Sequence, residues 1–482
     1  MRIKVLILFS IIYWPLKGQT ERFKTGETSL SINSIGQTSL QDTAIIYPLN
    51  SSNIALRNIN FWVTGISPTL DTLAIGSDVF SNRNDWVSGP AHTSGSQYIS
   101  SWPGIWRINQ NQIESHKNNF NNSGYVVPQN IASWPSNIQQ SGFPKIVSSF
   151  VDYDLNGSYD PVKGDFPYVL GVNNVIAVAT DSFAKGNFKM SPFPMDLTFQ
   201  YFVLDSLLNR YYCRATLCNR SNVNYQDVRL SSVLYGQIGN TKDDAMLTDI
   251  NGNLVAIKNG QFTDQNYGTN WPALGFMFCN KKLAASIYIK NSMSKVFGKP
   301  ETATEFYNYA HSKWLEGKSL TYGGSGVDGT IPVSYAYTGY SDTSNSKAVW
   351  NDDQDIGKRT VVASSESLSI NAGKCEVIDF CIFIIPDAPS DSLILAEGKD
   401  VLKSYNAKDF NLGLRSHNKS QKRVPTLFVK RGQSIQVAGF KKANVYGLDG
   451  RLIEQSLQAP ANPGIYLLIS ETDAQVIRLI VE

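Results

Sequence analysis

Short runs of β-branched and aromatic residues, separated by turn-forming dipeptides such as Asn251-Gly252, fill the middle of the chain. RYYCRATLCN at 210–219 and CEVIDFCIFII at 375–385 are typical, and such runs predict strands. Further runs lie at 173–183, 197–207, 228–238, 274–280, 283–289 and 360–370. Many strands with few helices between them favour an antiparallel β-sandwich over an α/β fold. We therefore predict a mainly β protein whose body, residues 171–414, is an antiparallel β-sandwich.

Helical periodicity interrupts this pattern and predicts a few helices, in NQNQIESHKNNF, EFYNYAHSKWLEG and DSLILAEGKDVLKSY. Ahead of the second segment, Thr302 and Glu305 form a candidate capping box. Gly317 is the predicted end of that helix.

The segments on either side of the body follow other patterns. Residues 20–170 are less regular, and we predict an irregular N-terminal lobe that ends in a calcium-type loop. The polar, basic segment 415–424 is typical of a linker. Residues 425–482 contain three short strand signals, which predict a small C-terminal β-sandwich of Ig-like type.

The first 19 residues predict a cleaved signal peptide. Arg2 and Lys4 precede an apolar run, Val5–Leu16, that is too short to span a bilayer. A buried N-terminal strand is the alternative. No other run approaches transmembrane length, so we expect an exported protein without a transmembrane segment.

Composition and charge limit the class of partner. The chain has 482 residues, enough for two or three cores, and combines 42% hydrophobic with 17% charged residues. Its formal net charge of +3 includes three basic residues of the predicted signal peptide, and the linker and tail together carry a net charge of +5. The body, residues 20–414, is therefore mildly acidic, with a net charge of −5. This argues against a nucleic-acid partner.

The five cysteines do not predict a disulfide scaffold. Cys375 and Cys381 share one strand-like run, where six residues at about 3.3 Å each place them too far apart to bridge. Cys213 and Cys218 are expected on opposite strand faces. Any bridge would therefore join different strands, and buried unpaired thiols are the favoured interpretation.

The stretch VDYDLNGSYDPVKGDFP, residues 151–167, resembles an EF-hand calcium loop in its first half. Such loops need oxygen ligands at positions 1, 3, 5, 7, 9 and 12, with Gly at 6. With Asp152 first, Gly157 falls at position 6, but position 12 is Lys163. Asp165 could replace that ligand if the chain bends back at Gly164. The predicted calcium ligands are Asp152, Asp154, Asn156, Ser158 (through its carbonyl), Asp160 and Asp165.

A metal-free turn built from Asx hydrogen bonds is the alternative for this loop. The calcium prediction is favoured because three alternating oxygen ligands and the correctly placed glycine rarely coincide. Its role would be structural.

The chain shows no motif that indicates catalysis. Its four histidines are scattered without metal-ligand spacing, and the glycine-rich GGSGVDG lacks the Lys-Ser/Thr of a phosphate loop. Sequence spacing does not test for paired carboxylates of a glycoside hydrolase. Five of the nine tryptophans lie between Trp62 and Trp134. They fill a core or stack on sugar rings, and the core interpretation is favoured.

The tail carries a family resemblance. VYGLDGRLIEQ, then PGIYL, then the terminal VIRLIVE resemble the C-terminal sorting domain of the type IX secretion system. The matching residues are Tyr446, Gly450, Arg451, Gly464 and Tyr466. Gly447 stands where the pattern usually has Asp, and the usual Y-P-N-P entry is missing. The resemblance implies that the chain crosses a Gram-negative outer membrane and that the type IX secretion machinery recognises the tail. The product would be tethered to surface polysaccharide or released.

The body more loosely resembles uncharacterised secreted proteins with this tail, through NDWVSGP, WPGIWRIN, the acidic loop and FYNYAHSKWLEGKSLTYGG. That resemblance implies no activity. Two hypotheses follow: a non-catalytic cell-surface or secreted protein for adhesion, glycan or matrix binding, stabilised by calcium; or a secreted glycan-active hydrolase with paired carboxylates.

Overall fold

The structure is a computed structural model. It describes residues 20–38, 42–94, 97–99, 102–205, 208–290, 294–342, 349–352, 356–388, 390–408, 426–435, 443–447, 452–454, 457–462, 464–470 and 476–481. The predicted signal peptide and linker lie outside these residues. The chain divides into two compact units, residues 1–409 and 410–482.

The first unit is built mainly from strands, as predicted. Its strands are β1 (Thr20–Thr25), β2 (Thr28–Asn33), β3 (Ile45–Ile46), β4 (Ile54–Ile66), β5 (Thr72–Ile75), β6 (Trp86–Ser88), β7 (Ile105–Asn109), β8 (Phe150–Val151), β9 (Phe166–Pro167), β10 (Asn173–Asp181), β11 (Met195–Val203), β12 (Arg210–Asn219), β13 (Tyr225–Gly236), β14 (Asp244–Asp249), β15 (Leu254–Asn259), β16 (Ala273–Phe278), β17 (Leu283–Ile289), β18 (Thr360–Ser365), β19 (Leu368–Ile370) and β20 (Cys375–Ile385). Its α-helices are α1 (Gln110–Asn119), α2 (Gln129–Ala132), α3 (Ala303–Ala310) and α4 (Asp391–Asn406).

Two large sheets form this unit. The first runs β1-β2-β3-β4-β13-β18-β17, with β5 beside β4 and β19 beside β13. The second runs β14-β15-β16-β20-β12-β11-β10-β6, with β7 beside β10. The ring of Phe61 on β4 lies 4.8 Å from that of Phe199 on β11 and 5.3 Å from that of Phe380 on β20. The core therefore lies between the two sheets, as in a β-sandwich.

The segment 20–170 is not a separate lobe. β1 to β5 belong to the first sheet, and β6 and β7 extend the second. β4 has 13 residues, most of them buried, and pairs along β13 of the body. Because both sheets need these strands, the segment and the body form one unit.

The predicted helices are present, with one correction. Thr302 and Glu305 form the expected capping box of α3. The helix ends at Ala310 and not near Gly317, because Ser312 adopts a left-handed backbone with φ 51° that cannot continue an α-helix.

One disulfide corrects the interpretation of unpaired thiols. Cys218 on β12 and Cys375 on β20 are directly paired residues of adjacent strands, and their sulfur atoms are bonded. The bridge joins different strands, the arrangement that the spacing left open. Cys213, Cys279 and Cys381 are free.

The second unit contains a five-stranded sheet in its described residues. Its strands are β21 (Thr426–Val429), β22 (Ala443–Gly447), β23 (Leu452–Glu454), β24 (Gly464–Ser470) and β25 (Val476–Val481). Their order is β21-β25-β24-β22-β23, and only the β21–β25 pair is parallel. Among the residues that the structure describes, no helix is long and apolar enough to cross a membrane.

Candidate metal centre and the adjoining cleft

The acidic loop, residues 152–165, is closed at its base by a short hairpin. β8 and β9 pair through Phe150 with Pro167 and Val151 with Phe166. Gly157 has φ 78° and Gly164 has φ 105°, in the left-handed region that favours glycine. The chain thus turns sharply where the EF-hand pattern requires Gly and bends back at Gly164, after a 3-10 turn over Pro161–Lys163.

Three of the predicted ligands converge in this loop. One oxygen from each of Asp152, Asp154 and Asp165 lies within 4.8 Å of the other two. Asp165 is fully buried, and burial together with the Asp152 and Asp154 carboxylates raises the pKa of Asp165. Three carboxylates this close repel one another, and a hard cation with oxygen ligands would relieve that repulsion.

Asp160 does not join these three carboxylates. One of its oxygens accepts the Val162 N–H at 3.2 Å and caps the 3-10 turn. The other oxygen lies 3.2 Å from the Lys163 ammonium. Lys163 occupies the twelfth EF-hand position. It therefore pairs with Asp160, the carboxylate predicted to ligate at the ninth position.

Asn156 is hydrogen-bonded within the acidic loop, and Ser158, predicted to ligate through its carbonyl, takes part there through its N–H. The Asn156 amide nitrogen donates to Asp154 at 2.7 Å, and its Oδ1 accepts the Ser158 N–H at 2.7 Å. An Asn ligand presents its oxygen to a cation, and the Asn156 Oδ1 has a second lone pair that the Ser158 N–H does not use.

Hydrogen bonds from the backbone also satisfy the carboxylates of the acidic loop. Asp152 accepts the N–H groups of Asn156 at 3.1 Å and Gly157 at 2.7 Å. Asp165 accepts those of Tyr153 and Asp160, both at 2.7 Å. This is the Asx-bonded turn of the alternative hypothesis. It is compatible with a cation, because each carboxylate has about four acceptor positions and each N–H uses one.

Tyr159 anchors the acidic loop to the core. It is 2% exposed, and its hydroxyl donates to the Ile131 carbonyl at 2.7 Å. It packs in a cluster with Trp106 and Trp134. On the other side, His116 of α1 is buried, and its Nε2 contacts the Asp165 carbonyl at 3.0 Å. Burial lowers the pKa of His116, so a neutral ring donates this bond.

A cleft of about 390 Å³ adjoins the hairpin that closes the acidic loop. We call it the hairpin cleft. It is lined by Gln110, Ile113, Glu114, Val151, Phe166, Pro167, Tyr168, Val169, Leu170, Gly171, Val172, Leu204 and Lys408. Val151, Phe166 and Pro167 belong to β8 and β9, so the hairpin is at once the base of the acidic loop and a wall of the cleft. Sequence reasoning missed this cleft, because Glu114 and Lys408 come from helix regions far apart in the chain.

The tryptophans between 62 and 134 fill the core. Trp62, Trp86, Trp106 and Trp134 are at most 4% exposed, and each indole N–H donates to a backbone carbonyl. Trp102 is half-buried and packs edge-on against Trp106. Their faces are therefore used for packing and not for stacking on a ligand.

The described residues of the sorting motif lie in two neighbouring strands of the second unit. Tyr446 is on β22, and Gly464 and Tyr466 are on β24. Tyr446 pairs with Leu467, so the two motif segments lie side by side. Gly450 and Arg451 lie outside the described residues.

Comparison with known proteins gives no family. No family model and no curated protein match the chain. Similar solved structures include a bacterial glucoamylase complexed with acarbose, at 9% identity and TM-score 0.32, over 83% of this chain and 37% of that one. A polysaccharide lyase matches at 8% identity and TM-score 0.21, over 60% and 34% of the two chains. A candidate kojibiose phosphorylase from the human microbiome matches at 7% identity and TM-score 0.26. The match covers 82% of this chain and 34% of that one.

The chain therefore spans about a third of the length of each of these three proteins. TM-scores this low establish neither a shared fold nor a shared activity.

Proposed function

We propose that this is an exported, non-catalytic protein that binds a glycan in the hairpin cleft, with calcium in the acidic loop stabilising the cleft wall. One observation carries the proposal: β8 and β9 both close the acidic loop and line the cleft. A cation held by Asp152, Asp154 and Asp165 would fix the ends of the loop, and with them Val151 and Phe166.

The lining of the hairpin cleft supports a glycan ligand. Its volume lies in the range of small-molecule sites, about 300–1,000 Å³. Phe166 offers a half-buried ring, while Gln110, Glu114 and Lys408 offer hydrogen-bonding groups at the rim. A sugar residue combines an apolar ring face with hydroxyl groups, and aromatic rings and polar side chains complement the two.

The same lining favours binding over hydrolysis at this cleft. Glycoside hydrolysis uses two carboxyl groups about 5–10 Å apart. Among the described residues that line the cleft, Glu114 alone carries a carboxylate. A single carboxylate can hydrogen-bond a sugar hydroxyl but cannot divide the acid and base roles.

The proposed destination is the cell surface or the extracellular space, reached through the type IX secretion machinery. The separate C-terminal unit and the adjacent strands that carry Tyr446 and Tyr466 support this part of the proposal. Deletion of residues 425–482 should leave the protein in the periplasm of its host. Unchanged export of the truncated protein would contradict the assignment of the tail.

Binding is tested by titrating a glycan panel into the mature chain and into Glu114→Ala. Glu114 is half-exposed and pairs with Lys117 at 3.0 Å, so its loss should leave the fold intact. We expect about tenfold weaker glycan binding, the loss of one charge-assisted hydrogen bond. Glu376→Ala is the matched control, because Glu376 is similarly exposed and pairs with Lys281 at 3.2 Å. Absence of glycan binding, or equal binding by both variants, would contradict the proposal.

A further inference from the structure

A second cavity, lined wholly by polar residues, lies beside β4 of the first sheet. We call it the amide pocket. Its volume is about 120 Å³. It is lined by Asn33, Gln37, Thr38, Asn58, Asn60, Asp78, Ser81, Asn82, Arg83 and Asn84. Three chain segments therefore meet here: the turn after β2, the start of β4 and the loop after β5.

Buried side chains of this pocket carry polar atoms that are unpaired within the described protein. They are Oε1 and Nε2 of Gln37, Oδ1 of Asn58 and Oδ1 of Asn60. Gln37 and Asn58 are 1% exposed and Asn60 is 5% exposed. Asn58 and Asn60 are two residues apart on β4, so their side chains point to the same face. Buried amides are costly without a partner, so the unpaired amide groups of these lining residues would gain from polar partners.

The charged residues of the amide pocket are already neutralised. Asp78 accepts from the Lys299 ammonium at 2.9 Å and from the Ser81 hydroxyl at 2.6 Å. Arg83 pairs with Glu301 and lies over the Phe188 ring. The site as a whole therefore favours a neutral ligand over an ion.

We propose that the amide pocket binds the hydroxyl-bearing edge of a neutral sugar residue or polyol. Its unpaired atoms include acceptors and a donor, and a hydroxyl group both donates and accepts. The polar lining disfavours an apolar ligand, and because Asp78 and Arg83 are already paired, the pocket offers no unbalanced charge to an anion or a metal ion. The volume holds about four water molecules at about 30 Å³ each, or several hydroxyl groups with their carbons. This site is separate from the hairpin cleft and needs no cation.

The test is isothermal titration of the mature chain with glucose, galactose, mannose, N-acetylglucosamine and glycerol, each alone. We expect at least one of these probes to bind. Gln37→Leu and Asn60→Leu should each weaken that binding at least tenfold, because each removes a buried hydrogen-bonding group. Gln97→Leu makes the same change at an exposed glutamine and should bind like the wild type. Glu114→Ala should also leave this binding unchanged, which separates the amide pocket from the hairpin cleft.

Two results would overturn the proposal. If no probe binds the wild type, the pocket holds only water, whatever the melting temperature of Gln37→Leu. If a probe binds Gln37→Leu and Asn60→Leu as tightly as the wild type, its site is elsewhere.

Discussion

Asp181 should make the free energy of unfolding depend on pH around neutrality. It ends β10 and is 4% exposed, and its carboxylate accepts the N–H groups of Phe183 at 3.0 Å and Phe193 at 2.6 Å. Burial, and then the nearby Asp85 carboxylate, raise the pKa of Asp181 from 3.8 to about 7. The two backbone donors oppose this shift but do not cancel it.

The direction in which the free energy of unfolding changes with pH follows from proton binding. Between pH 4 and 7 the folded protein keeps a proton on Asp181 that the unfolded chain has released. Its contribution to stability is therefore present at low pH and is lost as the pH rises through 7. Each pH unit in this window changes the free energy by about 1.4 kcal/mol, so the loss from pH 5 to pH 8 is about 3 kcal/mol.

Asp181→Asn removes this dependence, because the amide does not titrate. Urea unfolding at pH 5 and pH 8 should show the variant gaining about 3 kcal/mol relative to the wild type at the higher pH. One backbone N–H loses its acceptor in the variant, but that cost is the same at both pH values. Asp387→Asn, at an exposed aspartate, is the control. Parallel changes in the wild type and Asp181→Asn would refute the reasoning.

Three further predictions concern groups that hold the first unit together. Arg359 pairs bidentately with Asp352 at 2.6 and 2.7 Å, and both side chains are at most 1% exposed. Arg359→Leu should therefore lower the free energy of unfolding in urea by about 3–5 kcal/mol, because it removes the guanidinium that pairs with a buried carboxylate. A loss below about 1 kcal/mol would contradict this prediction. Replacing Cys218 and Cys375 together by Ser removes a cross-link between residues 157 positions apart in the chain. The free energy of unfolding should fall by up to about 5 kcal/mol, which a lower melting temperature would show. Wild-type protein treated with reductant should melt at the same temperature as the double variant. Tyr159→Phe should cost about 1 kcal/mol by removing one buried hydrogen bond, and an unchanged urea midpoint would show that this bond does not anchor the acidic loop.

Strands rich in β-branched and aromatic residues were predictable from the sequence. β12 and β20 occupy the residues of the runs that predicted them, because strands buried in a sandwich core need long stretches of β-branched and aromatic residues. Most of β1 to β5 was missed. β4 interrupts its apolar residues with Arg57, Asn58 and Asn60, and the two asparagines line the amide pocket.

The candidate sites, like the strands, were predictable only in part from the sequence. The positions of Gly157 and Asp165 followed from local spacing, since a turn is determined by neighbouring residues. The pairing of Asp160 with Lys163 was not foreseen, because the EF-hand pattern assigns ligands without considering side chains that compete for them. The hairpin cleft and the amide pocket each combine residues distant in sequence, and one sequence contains no signal that brings them together.

Calcium binding by the acidic loop is tested most directly by one measurement. Melting curves of the mature chain are recorded with saturating calcium and with chelator, for the wild type and for Asp152→Ala/Asp154→Ala. Calcium at a hundred times its dissociation constant should stabilise the wild type by about 2.7 kcal/mol. The double variant should show no calcium-dependent rise, while Asp71→Ala/Asp387→Ala, at exposed aspartates, should keep it. An equal rise in the two double variants, or none in the wild type, would contradict the calcium site.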